Sequence, residues 1–165
     1  MASEDDREEF WDRLEDTRTG MFGTEGRFVP MTHSLEPEDG CLWFLTAKQT
    51  PMAKAAAEGA ETHYVVSSDK EGIYADIVGK LSVSSDREKL DEVWNFVAES
   101  FYDEGKDDPD LVLVKLVPHK AEVWLGPESG LGFLISLAKS KLTGDQPDMG
   151  KHFSLTFPAQ PRQAL

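Results

Sequence analysis

The sequence predicts a mainly β protein with helices, α+β in class, whose antiparallel sheet is closed or split into a barrel and decorated by peripheral helices. Three observations predict it. Strand-like segments outnumber amphipathic helical ones, the spacing between strands is that of hairpins, and strand and helix do not alternate regularly as they would around a parallel sheet. The 165 residues suit a single domain, 1–165, with 1–8 and 158–165 expected to be flexible.

Residues 5–16 carry Phe10 and Leu14 four apart among charged residues, which predicts a short amphipathic helix capping the core. Residues 27–35 read as a strand, and Pro30 within it cannot donate to a ladder, so the strand belongs at an edge or carries a bulge. Residues 36–40 are a turn, and 41–47 return as the second arm of that hairpin. Thr50 before Pro51 has the pattern of an N-cap followed by proline at the first helical position; the Ala-rich helix it starts stops at Gly59. Residues 62–67 are β-branched and aromatic, and 72–84 alternate, with Ile73, Ala75, Ile77, Gly79, Leu81 and Val83 on one face. Asp86 caps a helix whose stripe is Leu90, Val93, Trp94, Val97 and Phe101. After a charged loop at 103–110, residues 111–117 form a central strand, Pro118-His119 a turn, and 121–125 a strand pairing back. A last amphipathic helix at 131–142 and a short strand at 153–157 complete a sheet of about six strands.

Composition narrows the function. Lys and Arg number 17 against 31 Asp and Glu, a net charge of −14 that disfavours nonspecific binding to nucleic acid or an anionic membrane. No apolar run approaches the ~20 residues of a membrane span, and residues 1–6 have neither a basic region nor an apolar core, so a cytoplasmic protein is expected. Cys41 is the single cysteine, which permits no internal disulfide and has no evident base beside it. His33, His63, His119 and His152 lack paired ligand spacing, and Asp103, Asp107, Asp108 and Asp110 lack the spacing and final Glu of a calcium loop, so no metal is expected.

One local feature stands against the acidic background. The helix starting after Thr50 presents unpaired backbone N–H groups, and Lys48 and Lys54 flank it, which together could hold a phosphate. Each residue has a plainer reading alone: Thr50 is a cap, Lys54 is solvated, and Met31, Phe44 and Leu45 are core.

Order adds what single residues lack. Phe28-Val29-Pro30-Met31-Thr32, Leu42-Trp43-Phe44-Leu45-Thr46, Leu90-Asp91-Glu92-Val93-Trp94, Asp107-Asp108-Pro109-Asp110-Leu111 and Ala121-Glu122-Val123-Trp124 follow one another as in the general stress protein branch of the pyridoxamine 5′-phosphate oxidase-like, FMN-binding split barrels, which the chain resembles from about residue 10 to 124. The resemblance implies a six-stranded antiparallel split barrel, a homodimer, and FMN in a cleft between subunits. It implies cofactor contacts from Arg27, Val29, Met31, Thr32, Phe44, Leu45, Thr46, Thr50 and Lys54, with Trp124 lining the cleft from the second subunit. Val29 stands where the branch usually has Arg, with Arg27 two residues earlier, and Pro51-Met52 stand where basic residues follow the hydroxyl residue, with Lys54 the nearest substitute. The implied function is an FMN-binding stress protein, either a flavin-dependent oxidoreductase of unknown substrate and redox partner or a non-catalytic flavin binder or sensor; a cleft holding haem or deazaflavin is the alternative. No residue stands out as a catalytic acid or base. The C-terminal tail offers only Arg162, so efficient pyridoxamine 5′-phosphate oxidation is not expected.

Overall fold

The computed structural model describes residues 2–24, 26–94, 102, 104–127, 130–144 and 150–158. In chain order these form helix α1 (Glu4–Asp16), strands β1 (Thr19–Thr24), β2 (Arg27–Thr32), β3 (Ser34–Glu36) and β4 (Cys41–Ala47), helix α2 (Pro51–Ala57), strands β5 (Glu61–Ser68) and β6 (Ile73–Ser84), helix α3 (Arg87–Val93), strand β7 (Leu111–Leu125), helix α4 (Gly130–Thr143) and strand β8 (Lys151–Thr156). All strand pairs are antiparallel, in the order β2-β1-β5-β6-β7-β4-β3 with β8 added to β7. The sheet curls into the half-barrel of a split-barrel fold, with eight strands described rather than about six.

Inside the curl lies the main core, where Phe22, Leu42, Phe44, Tyr64, Ile77, Leu81, Val114 and Val123 meet Phe10 and Leu14 of α1 and Met52 and Ala56 of α2. A Ser3–Asp6 capping box starts α1 at Glu4, within the segment expected to be loose. Near its far end Arg13 donates to the carbonyls of Gly72 (2.8 Å) and Gly126 (2.5 Å), tying α1 to the β5–β6 turn and the end of β7. A second cluster sits on the outer face, where α3 covers Cys41, Trp43 and Leu113 with Leu90 and Val93.

Four expectations are corrected. Segment 27–35 is two strands. Its first part, β2, is an edge strand as Pro30 requires, but it pairs with β1 (Phe22 opposite Val29), and only β3 pairs with β4. β1 escaped notice because Gly20 and Gly23 weaken its strand signal; Gly20 is needed, since a Cβ there would lie 2.6 Å from the buried Tyr64 Cζ and 2.8 Å from the Val65 carbonyl oxygen, and at Gly23 the exposed Phe28 ring lies across the strand. Residues 111–125 are one strand rather than two. β4 occupies one edge of its first half up to Leu116 and β8 the same edge from Lys120, so Pro118 falls between them, where its missing N–H breaks no ladder on that side. Val83 is exposed despite its place in the alternation, whereas Ile73, Ala75, Ile77 and Leu81 are buried. In α3, Trp94 leaves the helical conformation (ψ 133°), and Val97 and Phe101 lie outside the described residues.

Candidate functional site

The Thr50 corner is built locally. Thr50 lies in extended conformation at the head of α2, and its Oγ1 accepts from Ala53 N (3.2 Å) while donating to the Ala47 carbonyl (2.9 Å). That commits its proton, so the 2.7 Å contact with Thr46 Oγ1 is donated by Thr46. Thr50 is thereby saturated within the chain, and Thr46 retains lone pairs. Lys54 is exposed one turn inside α2, and Lys48 is exposed two residues before the cap; neither has an ion pair among the described residues. The two lysines give this corner the positive charge that suits a phosphate.

The remaining predicted residues divide by face. In β2, Val29 faces inward opposite Phe22, and it and Met31 are half-buried against the main core. Strand alternation places Thr32 on the other face, where it is exposed, and Arg27 is exposed at the β1–β2 hairpin opposite Thr24. Phe44 points into the main core, its ring edge-on to Tyr64 at 5.1 Å, while Leu45 turns outward toward the α3 cluster. One apolar slot therefore cannot take both. Trp124 is near the end of β7, twelve residues beyond Val112, the partner of Thr46; that is a strand path of roughly 40 Å. A single chain does not bring Trp124 to the Thr50 corner.

Around Trp124 the structure assembles groups that sequence spacing did not reveal. Its indole stacks on the His152 ring (4.7 Å, 5° between planes), and His152 Nε2 contacts Glu122 Oε1 at 2.5 Å, while Ser154 donates to Glu122 Oε2 at 2.7 Å. Those hydrogen bonds from Ser154 and His152 hold the Glu122 carboxyl below the usual range. Tyr74, Trp124, Gly126, Gly150, Lys151 and His152 line a hollow of about 270 Å³. A larger one, about 350 Å³, lies between α3 and the Gly105–Asp107 turn, but Arg87 and Lys106 there already pair with Asp107 (2.7 Å) and Asp91 (2.9 Å). Among the described residues no group of three His, Cys, Asp or Glu is placed to hold a metal ion. Cys41 is buried, and that burial pushes its thiol up. No described helix is long and apolar enough to cross a membrane.

His33 was also missed as a structural partner. It sits buried at the β2–β3 corner with Nε2 3.0 Å from the Leu14 carbonyl and Nδ1 2.7 Å from the Tyr64 hydroxyl. Burial holds its pKa below the ordinary value, against the opposing pull of hydrogen bonds to the backbone of Leu14 and Thr17. The neutral ring then donates from Nε2 to Leu14 and accepts from Tyr64 at Nδ1. Unfolding frees the ring to take a proton, so this contribution is full above about pH 6.5 and is lost as pH falls below it. The urea midpoint is expected to drop between pH 7 and 5.5, and His33→Gln to flatten that drop; a variant with an unchanged pH slope would contradict the assignment.

The fold is that of the split barrels, and comparison with known proteins defines the family. The chain belongs to the pyridoxamine 5′-phosphate oxidase-like family, whose model matches residues 5–148. It is similar to a general stress protein 26 structure from Jannaschia sp. CCS1, at 46% identity and TM-score 0.86 over 94% of this chain and all of that one. A general stress FMN/FAD binding protein from Xanthomonas citri is 31% identical with TM-score 0.67, over 74% of this chain and 90% of that one. General stress protein 26 of Bacillus subtilis (strain 168) is 27% identical over 123 residues, 72% of this chain and 87% of the relative.

Proposed function

We propose that the protein is an FMN-binding general stress protein, a homodimer in which each flavin phosphate is held at the Thr46–Thr50–Lys54 corner. The observation that carries this reading is the pair of exposed lysines, Lys48 and Lys54, that have no ion pair among the described residues and flank the head of α2 in a chain of net charge −14. Kinship with an FMN/FAD binding stress protein supports the choice of ligand. Lys54 and Arg27 would supply the phosphate's charge and donors, Met31 and Val29 the apolar edge of the ring slot, and Trp124 of the second copy its far wall. When bound, FMN would supply reversible hydride and electron transfer. No residue of the chain is assigned to protonate a substrate, which favours flavin binding as the shared property of an oxidoreductase and a sensor.

The test compares FMN with riboflavin, which lacks the phosphate. Lys54→Ala is expected to weaken FMN by about 1 to 3 kcal/mol, roughly five- to 150-fold in Kd, and to leave riboflavin nearly unchanged. Equal weakening of both ligands would remove Lys54 from the phosphate site. A haem or deazaflavin spectrum in the purified protein, rather than a flavin one, would replace the ligand.

A further inference from the structure

Two surfaces among the described residues are apolar and exposed. The first is α4, on which Leu134, Ile135 and Leu142 are 61%, 58% and 87% exposed and Ala138 is exposed as well. Leu134, Ala138 and Leu142 lie four apart, one stripe of the helix with Ile135 beside it. Among the described residues none of these joins either core cluster. A 14-residue helix is marginal in water without tertiary contacts, so its stripe needs a surface to bury against.

The second surface is the outer face of the sheet. Tyr74 and Trp124 are cross-strand partners on it, Met21 shares the row that runs through Val65, Asp76 and Glu122, and Phe28 lies over Gly23 at its edge. Phe28 is 54% exposed and Trp124 44%, and α3 covers only the opposite end of this face. Charge adds to the fit: α4 carries Lys139 and Lys141 and no acid, while Asp76, which contacts His63 at 2.8 Å, and Glu122, which contacts His152 and Ser154, stand in the middle of the outer face. Both surfaces occur on every copy, so a twofold arrangement covers each with the other.

We propose that α4 is an interchain arm whose apolar stripe lies across the outer sheet face of a second copy, over Met21, Phe28, Tyr74 and Trp124. The proposal rests on the homodimer reading above and names the element that makes the dimer. It also makes each arm a neighbour of Trp124, the residue assigned to the far wall of the flavin cleft.

Sedimentation and light scattering of the full chain test it. The wild type is expected at twice 18.4 kDa, and Leu134→Glu with Ile135→Glu to weaken dimerisation at least tenfold while retaining the β-sheet circular dichroism. A separate measurement locates the contact: an Ile135→Cys chain mixed and exchanged with a Met21→Cys chain should form an intermolecular disulfide on oxidation. A wild-type monomer at micromolar concentration overturns both the dimer and the arm. A wild-type dimer unaffected by the double substitution, with no disulfide in the mixture, overturns the arm alone. A monomer whose α4 binds vesicles of phosphatidylserine and phosphatidylcholine replaces the second copy with a lipid surface.

Discussion

Tyr64→Ala is expected to lower the unfolding free energy by about 5 kcal/mol, enough to unfold most single domains that sit at the lower end of the usual ~5 to 15 kcal/mol. The ring is fully buried, with its face or edge against Phe44 at 5.1 Å and His33 at 5.5 Å, and it covers the space a side chain at Gly20 would need. Truncating such an aromatic residue costs about 3 to 5 kcal/mol through lost burial and the cavity left behind. The buried His33 Nδ1 would also lose its partner, a further cost of about 1 to 3 kcal/mol wherever water does not enter. Tyr64→Phe separates the two contributions, because it keeps the ring and removes only the hydroxyl; about 1 to 2 kcal/mol is expected. Denaturant titration reads both. A Phe variant as unstable as the Ala variant would show that the hydrogen bond, rather than ring burial, dominates at this position.

What was legible in the sequence was local, and what was not depends on partners distant in the chain. The Thr50 cap and Pro51 at the first helical position were readable because both signals lie within four residues and the hydrogen bonds they predict close over the same span. Pro30 correctly marked an edge, since a residue without an N–H is excluded from the middle of a ladder whatever its neighbours. It could not say which strand lay on the paired side, and β1, the true partner, was hidden by its two glycines. Alternation assigned faces well in β6, yet it could not show that Val83, on the core-facing side with Leu81 and opposite Val114, is left exposed. The His33–Tyr64 and Trp124–His152 contacts join residues 31 and 28 positions apart, and no short motif encodes either. The same reasoning explains the candidate site. Family order placed Phe44 and Leu45 together as cofactor contacts, but consecutive strand residues point to opposite faces, and only the register shows that Phe44 belongs to the core.

Gly79→Ala is expected to cost about 3 kcal/mol, because β6 and β7 approach too closely there to admit a side chain. Val78 of β6 faces Lys120 of β7 and Gly79 faces Pro118, so His119 is an extra residue on the β7 side and the long strand bends at this point. A Cβ on residue 79 would collide with the Val117 carbonyl oxygen and lie 2.7 Å from Pro118 Cα. These are backbone atoms of the central strand, held on one edge by β6 and on the other by β4 and β8, and they cannot rotate away as a side chain would. Relief requires the bulge to open, which would pull Lys120 and Ala121 away from Val78 and Ile77 and disturb the buried side of the sheet at Ile77. Overpacking costs typically 1 to 3 kcal/mol, and the rigid neighbours put this case at about the upper end. For a chain of this length that is roughly a 6 to 12 °C fall in Tm. Gly26→Ala is the comparison, since the added methyl meets nothing within 4 Å although φ is +81°. Its cost is only that of the left-handed backbone, about 1 kcal/mol. Equal falls in Tm for the two variants would mean that the bulge yields easily and that Gly79 is not what allows β7 to bend.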